Sequence, residues 1–223
     1  MLSFNNVEFN FTNQPVFTDL SLNIEEGEFI FLIGKSGAGK TTFLQMIYMN
    51  ILPQGGYVQF DIYSSDTIKP KMLPNLRRNI GIIFQDFKLL EDRTVYENLA
   101  FILEITGTKR KEVKRKVYQV LSEVGLAHKQ KNRINQLSGG EKQRIAIARA
   151  IINEPKLIIA DEPTGNLDPE TSNEILDILT KISSRGTSVL FATHDYELVK
   201  KYKSKIVRLK DGKAKLLDDL SQL

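Results

Sequence analysis

The chain has 223 residues, of which 41% are hydrophobic and 26% charged, a composition typical of one globular domain that excludes a disordered protein. It contains no cysteine, which excludes disulfides and thiolate metal sites, and its net charge of +4 is too small to indicate a nucleic-acid partner. We see neither a signal peptide nor an apolar run near the ~18 residues of a membrane-spanning helix. We therefore expect a soluble chain that meets a membrane only through a partner.

The first part of the chain predicts strands of two kinds. Residues 4–11 and 20–24 alternate apolar and polar side chains, which predicts half-buried antiparallel strands, and residues 58–63 alternate in the same way. Residues 29–33 and 80–84 are instead short apolar runs, the pattern of a strand that is covered on both faces.

Helical and strand patterns alternate in the rest of the chain. They predict helices at residues 95–105 and 109–124, a strand at 157–160, a helix at 169–185 and a strand at 188–192. This alternation indicates an α/β fold with a parallel-sheet core, preceded by an antiparallel β region. The first two helices separate two chemical motifs, which indicates an inserted α-helical lobe at about residues 87–150. Asp211-Gly212 predicts a hairpin near the C-terminus.

A glycine-rich loop follows the apolar run at residues 29–33. Its sequence, GKSGAGKT, matches G-x-x-x-x-G-K-[S/T] and leads into an apolar-periodic helix, the context that a phosphate-binding loop requires. Backbone N–H groups of such a loop surround phosphate oxygens, its lysine reaches the β- and γ-phosphates, and its last hydroxyl binds Mg²⁺. The flanking pattern disfavours the alternative, a glycine-rich turn that happens to end in Lys-Thr. The predicted cofactors are ATP and Mg²⁺, and the predicted phosphate-binding residues are Gly34, Lys35, Ser36, Gly37, Ala38, Gly39, Lys40, Thr41 and Thr42.

Two adjacent carboxylates follow the apolar strand at residues 157–160. A phosphoryl-transfer site needs one carboxylate near Mg²⁺ and a group that orients the attacking water. Asp161 suits the first role, with Thr41 as a second ligand, and Glu162 suits the second role as a general base. An exposed Asp-Glu pair at a strand end would be the better interpretation of these residues alone. The phosphate loop in the same chain favours the catalytic one.

A second helix N-terminus that could bind an anion precedes this acidic strand. Residues 137–141 (LSGGE) come before a helical stretch at residues 145–152, so that two glycines expose backbone N–H groups and Ser138 adds a hydroxyl. A serine N-cap followed by flexible glycines would explain why a helix begins there. It would not explain why the run lies just upstream of the acidic strand.

The run LSGGE, placed between the phosphate loop and the acidic strand, resembles the signature of ABC transporter-type ATPases, and the resemblance extends over nearly the whole chain. It implies one nucleotide-binding domain at residues 1–223 with a P-loop NTPase (RecA-like) core. It implies that Gln85 is the Q-loop glutamine, which senses Mg²⁺ and the attacking water, and that His194 is the switch histidine, which contacts the γ-phosphate. Residues 166–168 resemble the D-loop that crosses the dimer interface. The implied catalytic residues are Lys40, Gln85, Glu162 and His194, the implied metal ligands are Thr41, Gln85 and Asp161, and the further nucleotide-binding residues are Ser138, Gly139, Gly140 and Asp168.

In the same family an aromatic residue of the N-terminal β region, commonly tyrosine, stacks on adenine. The best candidate here is Phe11. Phenylalanine in place of tyrosine should preserve the contact, because stacking requires only the ring. Phe9 and Phe17 are alternatives.

Each chain carries one phosphate loop and one signature, and in the resembled family the signature of one subunit closes over the ATP of the other. This implies a two-fold symmetric homodimer with ATP at its interface, in which Ser138 and Gly140 contact the γ-phosphate of the partner's nucleotide. Hydrolysis, with Glu162 activating water and His194 holding the γ-phosphate, would open this clamp and move a partner.

Three further runs refine the resemblance. Residues 161–168 resemble the branch that holds FtsE-type cell-division ATPases, lipoprotein-release ATPases and macrolide-type exporters, and residues 76–87 and 89–98 resemble the FtsE group. That group implies an FtsX-like integral membrane protein as partner, control of cell-wall hydrolysis during division, and a link to cytosolic division-ring proteins. The chain would lie peripherally on the cytoplasmic face of the bacterial inner membrane. In relatives a groove beside the Q-loop holds a segment of the membrane protein, and Phe87, Leu89 and Leu90 are candidates for its lining.

Several alternatives remain open. The ATPase of a lipoprotein-release or macrolide-type exporter would share the chemistry but not the partner. A soluble ABC protein that acts on DNA or ribosomes usually carries two cassettes or long coiled coils, which this chain lacks. A nucleotide-gated scaffold would not need Glu162 and His194, and a P-loop kinase would have no use for the signature.

Overall fold

The structure is a computed structural model that describes residues 1–12 and 14–217. Its strands are β1 (Leu2–Phe11), β2 (Gln14–Ile24), β3 (Phe29–Ile33), β4 (Gly55–Phe60), β5 (Tyr63–Ser64), β6 (Ile80–Phe84), β7 (Leu157–Asp161), β8 (Ser188–Thr193), β9 (Lys205–Lys210) and β10 (Lys213–Leu217). Its α-helices are α1 (Lys40–Ile47), α2 (Leu73–Arg78), α3 (Val95–Ile105), α4 (Arg110–Glu123), α5 (Gly139–Ile151), α6 (Pro169–Ser183) and α7 (Tyr196–Lys201). Among these described residues no helix is both long and apolar enough to cross a bilayer.

The smaller sheet is antiparallel, in the order β2-β1-β4-β5, as the alternating patterns predicted. One boundary within it was wrong. The predicted strand at residues 58–63 ends at Phe60, because Asp61 adopts a left-handed conformation (φ 55°) and turns the chain into β5. Ile62 lies at the tip of this turn and is 77% exposed. Its apolar side chain extended the alternation of apolar and polar residues beyond the end of the strand.

The larger sheet has the order β10-β9-β3-β8-β7-β6, with the five strands from β9 to β6 parallel and β10 antiparallel at one edge. The α/β prediction is therefore confirmed. Alternate residues of β3 enter different cores: Phe31 and Ile33 pack with the helices, whereas Ile30 and Leu32 pack with the antiparallel sheet. Burial on both faces is the reason that this strand is apolar throughout.

Helices α3, α4 and α5 pack on one another, and α5 also packs on β6. The stripe of Val113, Val117 and Leu121 on α4 is buried, as its spacing predicted. Gly81 of β6 permits the contact with α5, because a Cβ atom there would lie 2.4 Å from the carbonyl oxygen of Ala150. The separation of residues 87–150 as a lobe stays a prediction.

Parallel pairing brings the carboxyl ends of four strands to one edge of the sheet. In the register, Ile33 of β3 pairs with Thr193 of β8, and Asp161 of β7 pairs with Ala192 of β8 and Phe84 of β6. The segments that follow these strands hold the phosphate loop, Gln85, Glu162 and His194. Ligands of α/β sheets bind outside the carboxyl ends of the strands, so the topology gathers the predicted site at this edge.

Candidate active site

The phosphate loop joins β3 to α1 and has no room for larger side chains at two of its glycines. A Cβ atom on Gly34 would lie 2.9 Å from the carbonyl oxygen of Leu209, and one on Gly39 would lie 2.8 Å from Val16 Cγ1. Gly39 is also left-handed (φ 91°), a conformation that glycine adopts readily. The buried Lys40 turns back over the loop and donates a hydrogen bond of 3.0 Å from Nζ to the Gly34 carbonyl.

A hydroxyl and a carboxylate meet beside this loop. Thr41 Oγ1 donates to Asp161 Oδ2 over 3.3 Å. The pKa of Asp161 is raised above its usual value, mainly by burial. The hydrogen bond from Thr41 opposes this shift, and the charge of Glu162 adds to it. Within the part of the chain that the structure describes, no three His, Cys, Asp or Glu side chains are grouped to hold a metal. One hydroxyl and one carboxylate, completed by phosphate oxygens and water, nevertheless form a donor set that suits Mg²⁺.

Glu162 lies between a lysine and a histidine. Its Oε1 is 3.6 Å from Lys40 Nζ and its Oε2 is 2.9 Å from His194 Nδ1. Its backbone is left-handed (φ 47°), which costs a residue with a side chain about 1–2 kcal/mol. Its N–H donates to the Ala192 carbonyl over 3.0 Å and helps to hold this conformation. The arrangement places one carboxylate where it can accept a proton beside the phosphate loop.

Gln85 is exposed after β6 and contacts the segment that follows Glu162. A Cβ atom on Gly165 would lie 3.0 Å from Gln85 Nε2, and Asn166 Nδ2 donates to the Gln85 carbonyl over 3.4 Å. The predicted Q-loop and D-loop are therefore in direct contact within one chain.

The signature forms the start of α5. Ser138 is its N-cap: Ser138 Oγ accepts from the Glu141 N–H over 3.2 Å, and Glu141 Oε2 accepts from the Ser138 N–H over 2.9 Å. That backbone hydrogen bond holds the pKa of Glu141 below its usual range. The N-cap interpretation is thus confirmed, and the Ser138 hydroxyl proton is still able to donate elsewhere.

The signature packs on the start of α6 in its own chain. A Cβ atom on Gly140 would lie 2.6 Å from Thr171 Cγ2, and one on Gly139 would lie 3.4 Å from Leu167 Cδ2. Asp168 is the N-cap of α6 and accepts from Thr171 with both oxygens, over 2.9 Å from the N–H and 2.6 Å from Oγ1. These bonds lower the pKa of Asp168. The structure shows a capping role for Asp168, and its predicted contact with nucleotide stays a prediction.

A cavity of about 720 Å³ adjoins the phosphate loop. Phe11 lines it and is 51% exposed, whereas Phe9 and Phe17 are 8% and 1% exposed. Of the three candidate rings, Phe11 is therefore the one with a face available for stacking. No signature residue lines this cavity.

Sequence reasoning missed part of the cavity wall. Tyr196 at the start of α7 lines it, as do Arg208 and Lys210 of β9. The hairpin motif after β9 was visible in the sequence. Its place beside the phosphate loop depends on the parallel pairing of β9 with β3, which no local pattern reports.

The sequence model of the family described as ABC transporter matches residues 17–165. The chain belongs to the ABC transporter family. As a member of that family it is an ATP-binding ATPase, which confirms the activity predicted from its motifs. The roles of individual residues remain predictions.

Curated relatives and solved ABC cassettes align with most of the chain. Cell division ATP-binding protein FtsE of Streptococcus pneumoniae is 46% identical over 87% of this chain and 84% of its own length. The FtsE proteins of Bacillus subtilis and Escherichia coli K12 are 48% and 44% identical over 86% of this chain, and over 85% and 87% of their own lengths. Two dimeric structures of one ABC transporter cassette, MJ0796, also match. One, described as a bacterial cassette, has a TM-score of 0.85 at 33% identity, and the other, a post-hydrolysis state with ADP and Pi, has 0.83 at 32% identity. Each alignment with these two structures covers 98% of both chains.

Proposed function

We propose that this ABC ATPase is the nucleotide-driven subunit of a cell-division complex, in which two copies close around two ATP molecules and move an FtsX-like integral membrane protein. The observation that carries the chemistry is the position of Glu162 between Lys40 and His194 at the phosphate loop. The cell-division role is supported by identities of 44% to 48% to proteins named FtsE over most of both lengths.

The hydrolytic step follows from this cluster. Lys40 is close enough to neutralise Glu162 and is positioned to turn to the phosphates, which frees the carboxylate to accept a proton from water. His194 is exposed and within hydrogen-bond distance of Glu162, so it can hold the γ-phosphate while Glu162 orients the water. Thr41 and Asp161 would hold Mg²⁺, which when bound neutralises charge on the phosphates. Gln85 would approach the same metal and water.

The proposed dimer explains why the signature lies away from its own nucleotide cavity. Ser138 and Gly139 are exposed at the N-terminus of α5, where backbone N–H groups attract anions. In a two-fold arrangement Ser138, Gly139 and Gly140 would reach the ATP of the second copy, with Asp168 beside them. One relative with a similar fold is dimeric in both of its solved structures.

A groove near the Q-loop is the proposed docking site for the membrane partner. Its volume is about 520 Å³. Apolar residues including Ile82, Phe84 and Ile105 line it, together with the positively charged residues Arg77 and Arg149. The lining differs from the one predicted. Of residues 87–90 only Lys88 lines the groove, and Leu89 packs instead against the core.

Under this proposal the chain lies on the cytoplasmic face of the bacterial inner membrane and contacts the bilayer through its partner. Nucleotide-driven motion would regulate a cell-wall hydrolase outside the membrane, and cytosolic division-ring proteins would be further partners. A role in lipoprotein release or macrolide export is disfavoured, because the relatives with 44% to 48% identity carry cell-division names.

The test is to tag the chain in its native cells, solubilise the membranes gently and identify the membrane protein that co-purifies. We expect an FtsX-like protein, and recovery of an exporter permease would overturn the cell-division role. Ile105→Asp, in the groove, should reduce recovery of that partner. Ile62→Asp is the matched control, since Ile62 is an exposed isoleucine in the antiparallel sheet region, at 77% against 59% for Ile105.

A further inference from the structure

Arg149 of α5 holds the loop that follows Gln85. Its Nη2 donates to the Phe87 carbonyl over 2.8 Å, and its Nη1 donates to the Lys88 carbonyl. One guanidinium therefore binds two consecutive peptide groups, a use that suits its planar fork of donors. Arg149 lies three helical turns from Ser138, on the same helix.

The two residues that Arg149 binds have an unfavourable backbone. Phe87 and Lys88 are both left-handed, with φ of 59° and 50°. Residues with side chains rarely adopt this conformation, and a consecutive pair persists only where the surroundings hold it. A charged donor bonded to both carbonyls supplies such a hold.

The guanidinium itself depends on the loop. Burial lowers the pKa of Arg149, although an arginine stays charged in a protein. In the described ranges no carboxylate lies within ion-pair distance of Arg149, while the nearby Asp86 pairs with Lys88 over 2.6 Å. If the loop moved away, a partly buried charge would lose two acceptors, which is costly. The contact therefore stabilises the loop and the helix against relative motion.

We propose that Arg149 is a positioning residue for hydrolysis. It sets the conformation of residues 86–88, so that Gln85 is presented to the nucleotide site, and it links this loop to the helix that begins with the signature. Arg149 and Lys88 also line the proposed docking groove, so a segment bound there would touch the same contact. The inference rests on the proposed role of Gln85.

Loss of the Arg149 guanidinium should lower the rate of ATP turnover and leave the affinity for nucleotide unchanged. The phosphate loop is built from β3, α1 and their neighbours, without Arg149. Loss of the guanidinium would misplace Gln85 relative to the reacting groups, and misplacement by about 1 Å can lower a rate on the order of a hundredfold. ATP would still bind to the phosphate loop.

The experiment compares Arg149→Gln and Arg149→Lys with Arg144→Gln. Arg144 is a matched control, because it lies on the same helix but bonds to Glu174 and to the Val124 carbonyl. Steady-state ATP turnover and amide hydrogen exchange are measured on the full chain. For Arg149→Gln we expect kcat to fall about ten- to hundredfold with KM changed less than about twofold, and exchange to rise at residues 86–90 but not in the phosphate loop. The kcat and the loop exchange of Arg149→Lys should lie between those of the wild type and those of Arg149→Gln, because lysine keeps the charge but not the planar fork of donors.

Unchanged kcat and unchanged loop exchange in Arg149→Gln would overturn the proposal. Equal effects of Arg144→Gln and Arg149→Gln would also overturn it, since they would indicate general destabilisation. If Arg149→Gln does not fold, the comparison of Arg149→Lys with Arg144→Gln decides the same question. A wild-type chain with no turnover would count against the proposed function, whereas the exchange measurement would still decide whether Arg149 holds the loop.

Discussion

Glu162 Oε2 lies 2.9 Å from His194 Nδ1, and the two residues follow the ends of adjacent parallel strands, β7 and β8. The pairing of Asp161 with Ala192 sets the positions of Glu162 and His194 relative to each other at the edge of the sheet. The other oxygen of Glu162 faces Lys40. The sheet register and two neighbouring side chains thus hold Glu162, the proposed general base, beside the phosphate loop.

Glu162→Gln should bind ATP but lower hydrolysis on the order of a hundred- to ten-thousandfold, because an amide cannot accept the proton of the attacking water. Since the clamp would close without opening again, the variant should form a stable dimer with ATP and Mg²⁺. Phosphate release and size-exclusion chromatography measure the two effects. Glu197→Gln, an exposed glutamate on α7, is the control. A Glu162→Gln chain that stayed monomeric would refute the two-ATP dimer for the isolated protein.

Phe11→Ala should weaken ATP binding about tenfold, whereas Phe11→Tyr should keep it, because base stacking requires the ring and not its substituent. The affinity is measured by fluorescence titration in the Glu162→Gln background, where the nucleotide is not consumed. Tyr57→Ala is the control, since Tyr57 is a partly exposed aromatic on β4 of the same sheet. An unchanged affinity in Phe11→Ala would show that another group contacts the base.

Gly39→Ala should destabilise the fold by roughly 1–3 kcal/mol more than Gly37→Ala. Both glycines are left-handed, with φ of 91° and 80°, so the backbone cost of alanine is similar. They differ in space: the new Cβ would lie 2.8 Å from Val16 at Gly39, but would meet nothing within 4 Å at Gly37. Urea unfolding measures the difference, and equal stabilities would show that β2 yields to the added methyl group.

Glu141→Ala should lower stability by about 1 kcal/mol at pH 7, because the capping box at Ser138 loses its carboxylate. The pKa of Glu141 is lower in the folded chain than in the unfolded one, so its contribution is present above the unfolded value and is lost as the pH falls through the folded value. The difference from wild type should therefore shrink on acidification below about pH 4. Unfolding free energies at neutral and acidic pH measure this, with the exposed Glu104→Ala on α3 as control. A difference that grew in acid would contradict the sign of the pKa shift.

The elements that the sequence alone determined are formed by contiguous segments of the chain. The phosphate loop, the helix at Val95–Ile105 and the hairpin at Asp211-Gly212 each depend on the spacing or backbone freedom of neighbouring residues, and each lies where the pattern predicted. Helix α2 escaped prediction because only Leu76 of its six residues is buried, which leaves no apolar stripe to detect.

Tertiary structure decided the contacts that join distant segments. Phe11 is the exposed ring because β-sheet packing buries Phe9 and Phe17, and β9 reaches the cavity beside the phosphate loop because it pairs with β3. The bond from Arg149 to the loop after Gln85 likewise requires α5 to pack on β6. Such contacts depend on which elements become neighbours in space. The neighbours are determined by the need to bury both faces of the parallel sheet, and a local run of residues does not report them.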